Sequence, residues 1–310
     1  MVWESDYPVR MFNVVAGKWD VWRGEGTEIY YHPEHSYNIE EMGLSLDASR
    51  RWYSEWFAPF PWTTLRVNEF MGISAYAQGF PTNITFSEAI GFLTKNDLRT
   101  LLVFWVTAHE AAHQWWGNML TPGDGPGGNI LSEGMANFST LLLIEQIKGE
   151  AARREFAKRM ETRYARGRRA DDERPMVEVD GSHEGDGVVT YEKGAWVPGM
   201  LMGLMGREAM LEGLRQFIAR YRDGPDYPLL QDQVNTLREF APDTAAFDKF
   251  VDQWYFDVVL PEYRVEEAER RQLPDGGGEL RKLGDDVHPP EHRDGPHARG
   301  GRGDAWRALR

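Results

Sequence analysis

The chain contains the run His109–Glu110–Ala111–Ala112–His113, whose two histidines and one glutamate could act on a metal. On a helix this i, i+4 spacing sets the two imidazoles on one face, one turn apart, where both can reach a single Zn²⁺ at about 2.0–2.1 Å. Glu110 projects about 100° further round, beside the metal rather than on it. From there it can take a proton from a water that the metal activates. A catalytic zinc takes a third protein ligand and keeps a fourth position open. Glu133, in Leu131–Ser132–Glu133–Gly134, is the candidate, and Asn137, one turn further on, is placed to hydrogen-bond a ligating histidine. Taken singly, these residues also suit duller roles: two core histidines and an acid at a helix start. Their combination points to metal-assisted hydrolysis.

The elements that must position these residues are legible in outline. Residues 11–31 alternate as strands, with a Gly24–Glu25–Gly26 turn before Ile29–Tyr30–Tyr31. Residues 46–57 read as a helix stopped by Pro59 and Pro61, and Thr64 to Phe70 as a strand with Glu69 facing outward. Gly79 to Asn83 is a turn, and Ile84 to Phe92 reads as an extended edge. A helix is expected from the Thr94/Asp97 start signal to Trp116, and another from Ser132 to Lys148, joined by the Gly/Pro-rich loop 121–129. Residues 150–172, 191–205, 207–222 and 231–256 complete a helical second half. From Leu273 the chain is rich in Gly and Pro with few apolar anchors, the composition of a disordered tail. Strands first and helices second indicate an α+β domain.

Composition narrows the chemistry. Of 310 residues none is cysteine, so disulfides, thiolate-bound zinc, iron–sulfur clusters and thiol nucleophiles are excluded, and any metal rests on carboxylates and the eight histidines. His32, His35, His183, His288, His292 and His297 show no metal spacing and read as surface residues. A net charge of -14 argues against nucleic acid as a partner and against an electrostatic grip on anionic lipid. The longest apolar run, Leu101 to Ala108, is far too short to span a membrane, so the chain reads as soluble. Twelve tryptophans suggest a heavily packed interior; Trp105, Trp115 and Trp116 flank the zinc helix and are expected to pack it.

HEAAHQWWGN followed by LSEGMANF resembles the M1 family of zinc aminopeptidases, gluzincins that hold zinc with two His and one Glu. The tract from Val189 to Ala195 resembles the family's Y-x-K-G-A segment, and WYFDVVLPEY (Trp254 to Tyr263) the end of its catalytic domain. The resemblance runs over roughly residues 10–265 and is strongest to the peptidase domains associated with bacterial ABC-type permeases. It implies a thermolysin-like catalytic domain with a mixed sheet lobe followed by a helical lobe. It also implies one Zn²⁺ on His109, His113 and Glu133, with Glu110 as general base and Tyr191 stabilising the oxyanion. Nineteen residues, Gln114 to Ser132, separate the second His from Glu133, one more than is usual in the family; the Gly-rich loop can absorb it. The family's G-x-M-E-N strand, whose Glu binds the substrate α-amine, corresponds here to Thr85–Ala89, leaving Glu88 as the substrate-binding residue.

On this reading residues 1–45 are remnant strands preceding the catalytic domain, 46–265 are the catalytic domain and 266–310 a disordered tail or linker. The family's large N-terminal β domain is missing, so the chain reads as a catalytic fragment. The expected activity is zinc-dependent removal of N-terminal residues from peptides. Two alternatives stand beside it: a zinc endopeptidase without amine selectivity, and a weakly active peptidase-fold accessory domain of a transporter. The expected partners are peptide substrates and, in the parent protein, a membrane permease. The expected location is cytoplasmic, or membrane-associated through a parent segment.

Overall fold

Apolar residues recur at one face of residues 39–56 and at alternate positions of 65–70, and the chain folds accordingly into a sheet backed by helices. In the computed structural model, which describes residues 7–9, 11–72, 76–93, 95 and 101–260, five strands form one sheet in the order β1-β2-β3-β5-β4. These are β1 (Asp20–Arg23), β2 (Thr27–Tyr31), β3 (Leu65–Phe70), β4 (Ala77–Phe80) and β5 (Asn83–Ser87). The two outer pairs, β1/β2 and β4/β5, are antiparallel; β2, β3 and β5 run parallel. Leu65, Val67, Ile84 and Phe86 are fully buried on the central strands. Helix α1 (Ile39–Trp56) crosses between β2 and β3, as a parallel connection requires. It buries Met42, Leu46 and Tyr53.

The short helix α2 (Glu88–Gly91) follows β5, and α3 (Leu102–Ala112) begins the helical half. That half continues through α4 (Met135–Lys148), α5 (Glu150–Gly167), α6 (Asp186–Val188), α7 (Gly194–Met205), α8 (Arg207–Tyr221), α9 (Leu230–Arg238) and α10 (Thr244–Trp254). Two π turns, Ile130–Gly134 and Val189–Lys193, lead into α4 and α7. Residues up to Val258 form one unit with a continuous apolar core. Of the second unit, 259–310, only residues 259 and 260 are described.

Several expectations are corrected. Residues 11–19 form no strand; pairing begins at Asp20. A boundary at residue 45 would cut through α1, and β2 is hydrogen-bonded to β3, so the first strands belong to the same sheet as the rest. The segment 84–92 is not an edge: β5 lies between β3 and β4, and the chain turns helical at Glu88 because Ser87 caps Ala89 N–H with its hydroxyl. The edge on that side is β4, hidden in the sequence by its brevity. The stretch 231–256 is two helices, broken after Arg238 and restarted by Asp243, whose carboxylate caps Ala245 and Ala246. Glu69 does not face outward; it is 2% exposed. Thr94, Asp97 and the tail from Leu273 lie outside the described residues. No helix among the described residues is long and apolar enough to cross a membrane.

Candidate metal centre

Helix α3 is buried on almost every side: Val103, Phe104, Val106, Thr107 and Ala108 are covered, as are His109 and Glu110. A helix apolar all round must lie inside a protein, and α1 holds this one in place through its backbone. The Ser45 hydroxyl donates to the Phe104 carbonyl at 2.7 Å and the Tyr53 hydroxyl to that of Ala108 at 3.2 Å. The helix stops at Ala112 rather than Trp116. Beyond it the indoles of Trp115 and Trp116, both fully buried, donate to the Ala58 carbonyl and the Ser139 hydroxyl, pulling the chain into a turn closed at Gly117. His113 keeps helical dihedrals at the cap, so the one-turn spacing to His109 survives.

Glu133 and Tyr191 arrive on the two π turns. Each turn takes one residue more than an α-helical turn would, a feature often found at functional sites. The turns touch largely through backbone, with the Ile130 side chain beside Gly194. A Cβ on Gly134 would lie 2.9 Å from the carbonyl oxygens of Thr190 and Gly194, and one on Gly194 would lie 3.1 Å from the Gly134 Cα. Only glycine at both positions lets the two segments approach this closely.

The three donors converge. His109 Nε2 lies 3.1 Å from Glu133 Oε2 and 3.2 Å from His113 Nε2, and His113 Nε2 lies 3.3 Å from the same Glu133 oxygen. A triangle with these edges is one face of a tetrahedron whose centre is about 2.0 Å from each corner, the zinc–nitrogen and zinc–oxygen distance. The outer ring nitrogens decide what the inner ones are. His109 Nδ1 faces the Asn137 side-chain oxygen at 2.9 Å and His113 Nδ1 faces the Trp116 carbonyl at 3.0 Å. Both partners accept, so both Nδ1 atoms carry the hydrogen and both Nε2 atoms present lone pairs. Two imidazole lone pairs and a carboxylate oxygen aimed at one point fit a cation. Asn137 does a second job: its amide N–H donates to the Tyr191 carbonyl at 3.0 Å, linking the His109 ring to the second π turn. The Tyr191 ring stacks near that of His109, centroids 6.1 Å apart and planes at 17°.

Without a metal, electrostatics inside the triangle are those of an ion pair. Burial opposes ionisation of Glu133, but the hydrogen bonds and charges of His109 and His113 outweigh it and hold its carboxyl well below the usual carboxylate range. Burial likewise opposes a charged His113; the Glu133 hydrogen bond, the Glu133 and Glu110 charges and the Trp116 carbonyl push it up to about 9. Burial first, then the Glu133 carboxylate, raises the Tyr191 hydroxyl above its ordinary range, so it is a hydrogen-bond donor at every physiological pH.

Strand β4 borders the site. The hairpin is bolted to the end of α3: the Gln114 amide donates to the Phe80 carbonyl and its oxygen accepts from Thr82 N–H, while Asn118 donates to the Gly79 carbonyl. Gly79 sits so close that a Cβ there would collide with the Glu110 carbonyl oxygen. Tyr76, bonded to Ser87, continues the ladder on the inner side, so the peptide groups of Ala77 and Gly79 point away from β5, the Gly79 carbonyl towards Asn118.

The family model described as the Peptidase family M1 domain matches residues 53–254. The chain belongs to peptidase family M1. Within the family it is 26% identical over 216 residues to aminopeptidase N of Lactobacillus delbrueckii subsp. lactis, a match covering 64% of this chain and 25% of that protein. It is 27% identical over 138 residues to putative aminopeptidase-2 of Caenorhabditis elegans, covering 43% of this chain and 7% of that one. The chain thus spans about a quarter or less of the length of these relatives. The fold is shared with solved structures. The M1 zinc metallopeptidase of Deinococcus radiodurans has TM-score 0.58 at 20% identity, over 76% of this chain and 49% of that one. Native yeast LTA4 hydrolase has TM-score 0.63 at 18% identity, over 80% and 40%.

In this M1 domain the structure brings His109, Glu110, His113, Glu133, Asn137 and Tyr191 into one neighbourhood. It does not bring Glu88 there. Glu88 opens α2 beyond the end of β5, and its carboxylate neighbours His35 and Glu69 instead. The strand that borders α3 is β4, eight residues upstream at its nearest, and it carries Gln78 rather than an acid. His35 is likewise no plain surface residue, its Nδ1 lying 2.5 Å from the Glu69 carboxylate. Sequence reasoning missed the Trp116 carbonyl that orients His113. It also missed the buried pair of Lys193 with Glu173 at 2.8 Å, which ties the second π turn to the segment after α5. Lys193 lay in a flagged tract; Glu173 gave no signal among many surface acids.

Proposed function

We propose that this thermolysin-like M1 domain hydrolyses peptide bonds with one zinc held by His109, His113 and Glu133, removing N-terminal residues from peptides. The observation that carries the reading is the convergence of two imidazole lone pairs and a carboxylate oxygen at tetrahedral spacing beside the buried Glu110. Zinc there would activate water and polarise the scissile carbonyl. Glu110 accepts the proton of the attacking water and passes it to the leaving amine. The Tyr191 hydroxyl, kept protonated by its surroundings, donates to the developing oxyanion; a well-placed donor of this kind contributes about 3 kcal/mol. Asn137 holds the His109 ring and the Tyr191 backbone in one register. The open edge of β4 can take an extended peptide by strand addition, setting it along the metal centre. The names of the relatives favour aminopeptidase action.

A second reading, cleavage without selectivity for a free N-terminus, is favoured by one observation: the acid expected to anchor the amine stands in another cluster. The test compares wild type with Glu110→Gln on aminoacyl and N-acetyl-aminoacyl fluorogenic substrates, with bound zinc counted by elemental analysis. The proposal expects Glu110→Gln to keep zinc and lose activity by about a hundredfold or more. Equal cleavage of free and acetylated substrates favours the second reading, and zinc binding with no cleavage of either class defeats both.

A further inference from the structure

We infer that His35, Glu69 and Glu88 form a second divalent-metal site, separate from the catalytic triangle and of the zinc class. Their donor atoms lie within 4.8 Å of one another and share no residue with the first site. The three come from three neighbouring parallel strands. His35 follows the end of β2, Glu69 is the penultimate residue of β3, and Glu88 directly follows β5. Parallel strands present their carboxyl ends on one side, where α/β sheets commonly take ligands. A bond outside the cluster assembles these ends: the Asn38 amide donates to the Gly91 carbonyl at 2.8 Å, joining the segment after β2 to α2.

Charge singles the site out. Glu69 lies on the same side of β3 as the core residues Leu65 and Val67 and is 2% exposed. A carboxylate in that position needs a counter-charge. Its partners are His35 Nδ1 at 2.5 Å and the His32 N–H at 2.6 Å, and among the described residues no Lys or Arg reaches either Glu69 or Glu88. Two carboxylates and one imidazole within this distance of one another would be neutralised by a divalent cation. An imidazole in the donor set argues for a zinc-class ion rather than calcium, which takes oxygen donors alone. Two ligands on one zinc stand about 3.4 Å apart at tetrahedral angles, from bonds of about 2.1 Å, so the cluster needs adjustment of only about an ångström. The bound ion would pin the loop after β2 to the ends of β3 and β5.

The inference does not rest on the peptidase reading, and metal counting separates the two. The full chain is stripped with chelator, re-equilibrated with buffered Zn²⁺ and analysed for bound metal, with Co²⁺ absorption followed in parallel titrations. Wild type is expected to hold about two equivalents, and Glu88→Gln and His35→Ala about one each. His113→Ala is expected to keep about one, in the second site. Glu88 is partly exposed, so its isosteric amide should fold; circular dichroism melting of each metal-free variant checks this. The inference is overturned if wild type holds one equivalent that His113→Ala loses and His35→Ala keeps. Retention of two equivalents by folded Glu88→Gln and His35→Ala overturns it equally.

Discussion

The contact between the two π turns allows a test in which local propensity and tertiary packing predict opposite signs. Gly134 has ordinary helical dihedrals, φ −62° and ψ −45°. On a free helix, Gly→Ala there would stabilise by about 1 kcal/mol. In this protein the new methyl would meet the carbonyl oxygens of Thr190 and Gly194, each at 2.9 Å, and the Gly194 carbon at 3.0 Å. These are backbone atoms of a buried turn and cannot swing aside. Overpacking of this kind costs about 1–3 kcal/mol, and two simultaneous backbone contacts place it in the upper half of that range. After the propensity gain, Gly134→Ala should be destabilised by about 1–2 kcal/mol. For a unit of this size that is a fall in Tm of roughly 2–8 °C. Glu133 and Tyr191 sit on the segments being pushed apart, so hydrolysis should also fall by about tenfold or more. Gly203→Ala is the control: Gly203 lies within α7 with nothing within 4 Å of its would-be Cβ, so it should gain up to about 1 kcal/mol. Both variants are read by urea unfolding, together with zinc-dependent peptide cleavage. Equal stability gains in the two variants would refute the claim that glycine contact sets the distance between ligand and tyrosine.

Asn137→Ala should leave the fold intact but free the His109 ring to turn. Zinc affinity should drop by about 10–100-fold, measured by competition with a chromophoric chelator; an unchanged affinity removes Asn137 from the site. The metal-free site should bind zinc with release of about one proton at pH 7, because His113 is protonated below about 9 and must be neutral to ligate. The sign follows: apparent zinc affinity falls as pH drops below 9, and proton release fades above it. Calorimetry in buffers of different ionisation enthalpy measures this. The same raised value means that the proton on His113 stabilises the metal-free fold fully below about 6.5 and is lost as pH rises through 9. Metal-free protein should therefore melt lower at pH 9.5 than at pH 7, with an opposite or absent difference counting against the ion pair.

The residue pattern by itself pointed to the first site and to the residues the fold brings together there. His109, Glu110 and His113 needed only helical spacing, which is local, and the helix that carries them announces itself by apolar content. Glu133 and Asn137 followed from what zinc demands next, and the strand-then-helix order followed from periodicity. What tertiary structure alone decided was distance between segments. Strand β4 has four residues and no apolar alternation to reveal it, so the sequence pointed to Glu88 for a place beside α3 that belongs to β4. Glu69 looked like an outward strand residue, yet the partners that let a carboxylate be buried come from residues 32–35, some 34 positions away. The paired glycines Gly134 and Gly194 look like ordinary helix-flanking residues until the two π turns meet. Spacing along one element is written in the chain, whereas contact between elements depends on how the whole core closes, and it is that closure which brings Glu133 to the histidines and Tyr191 to both.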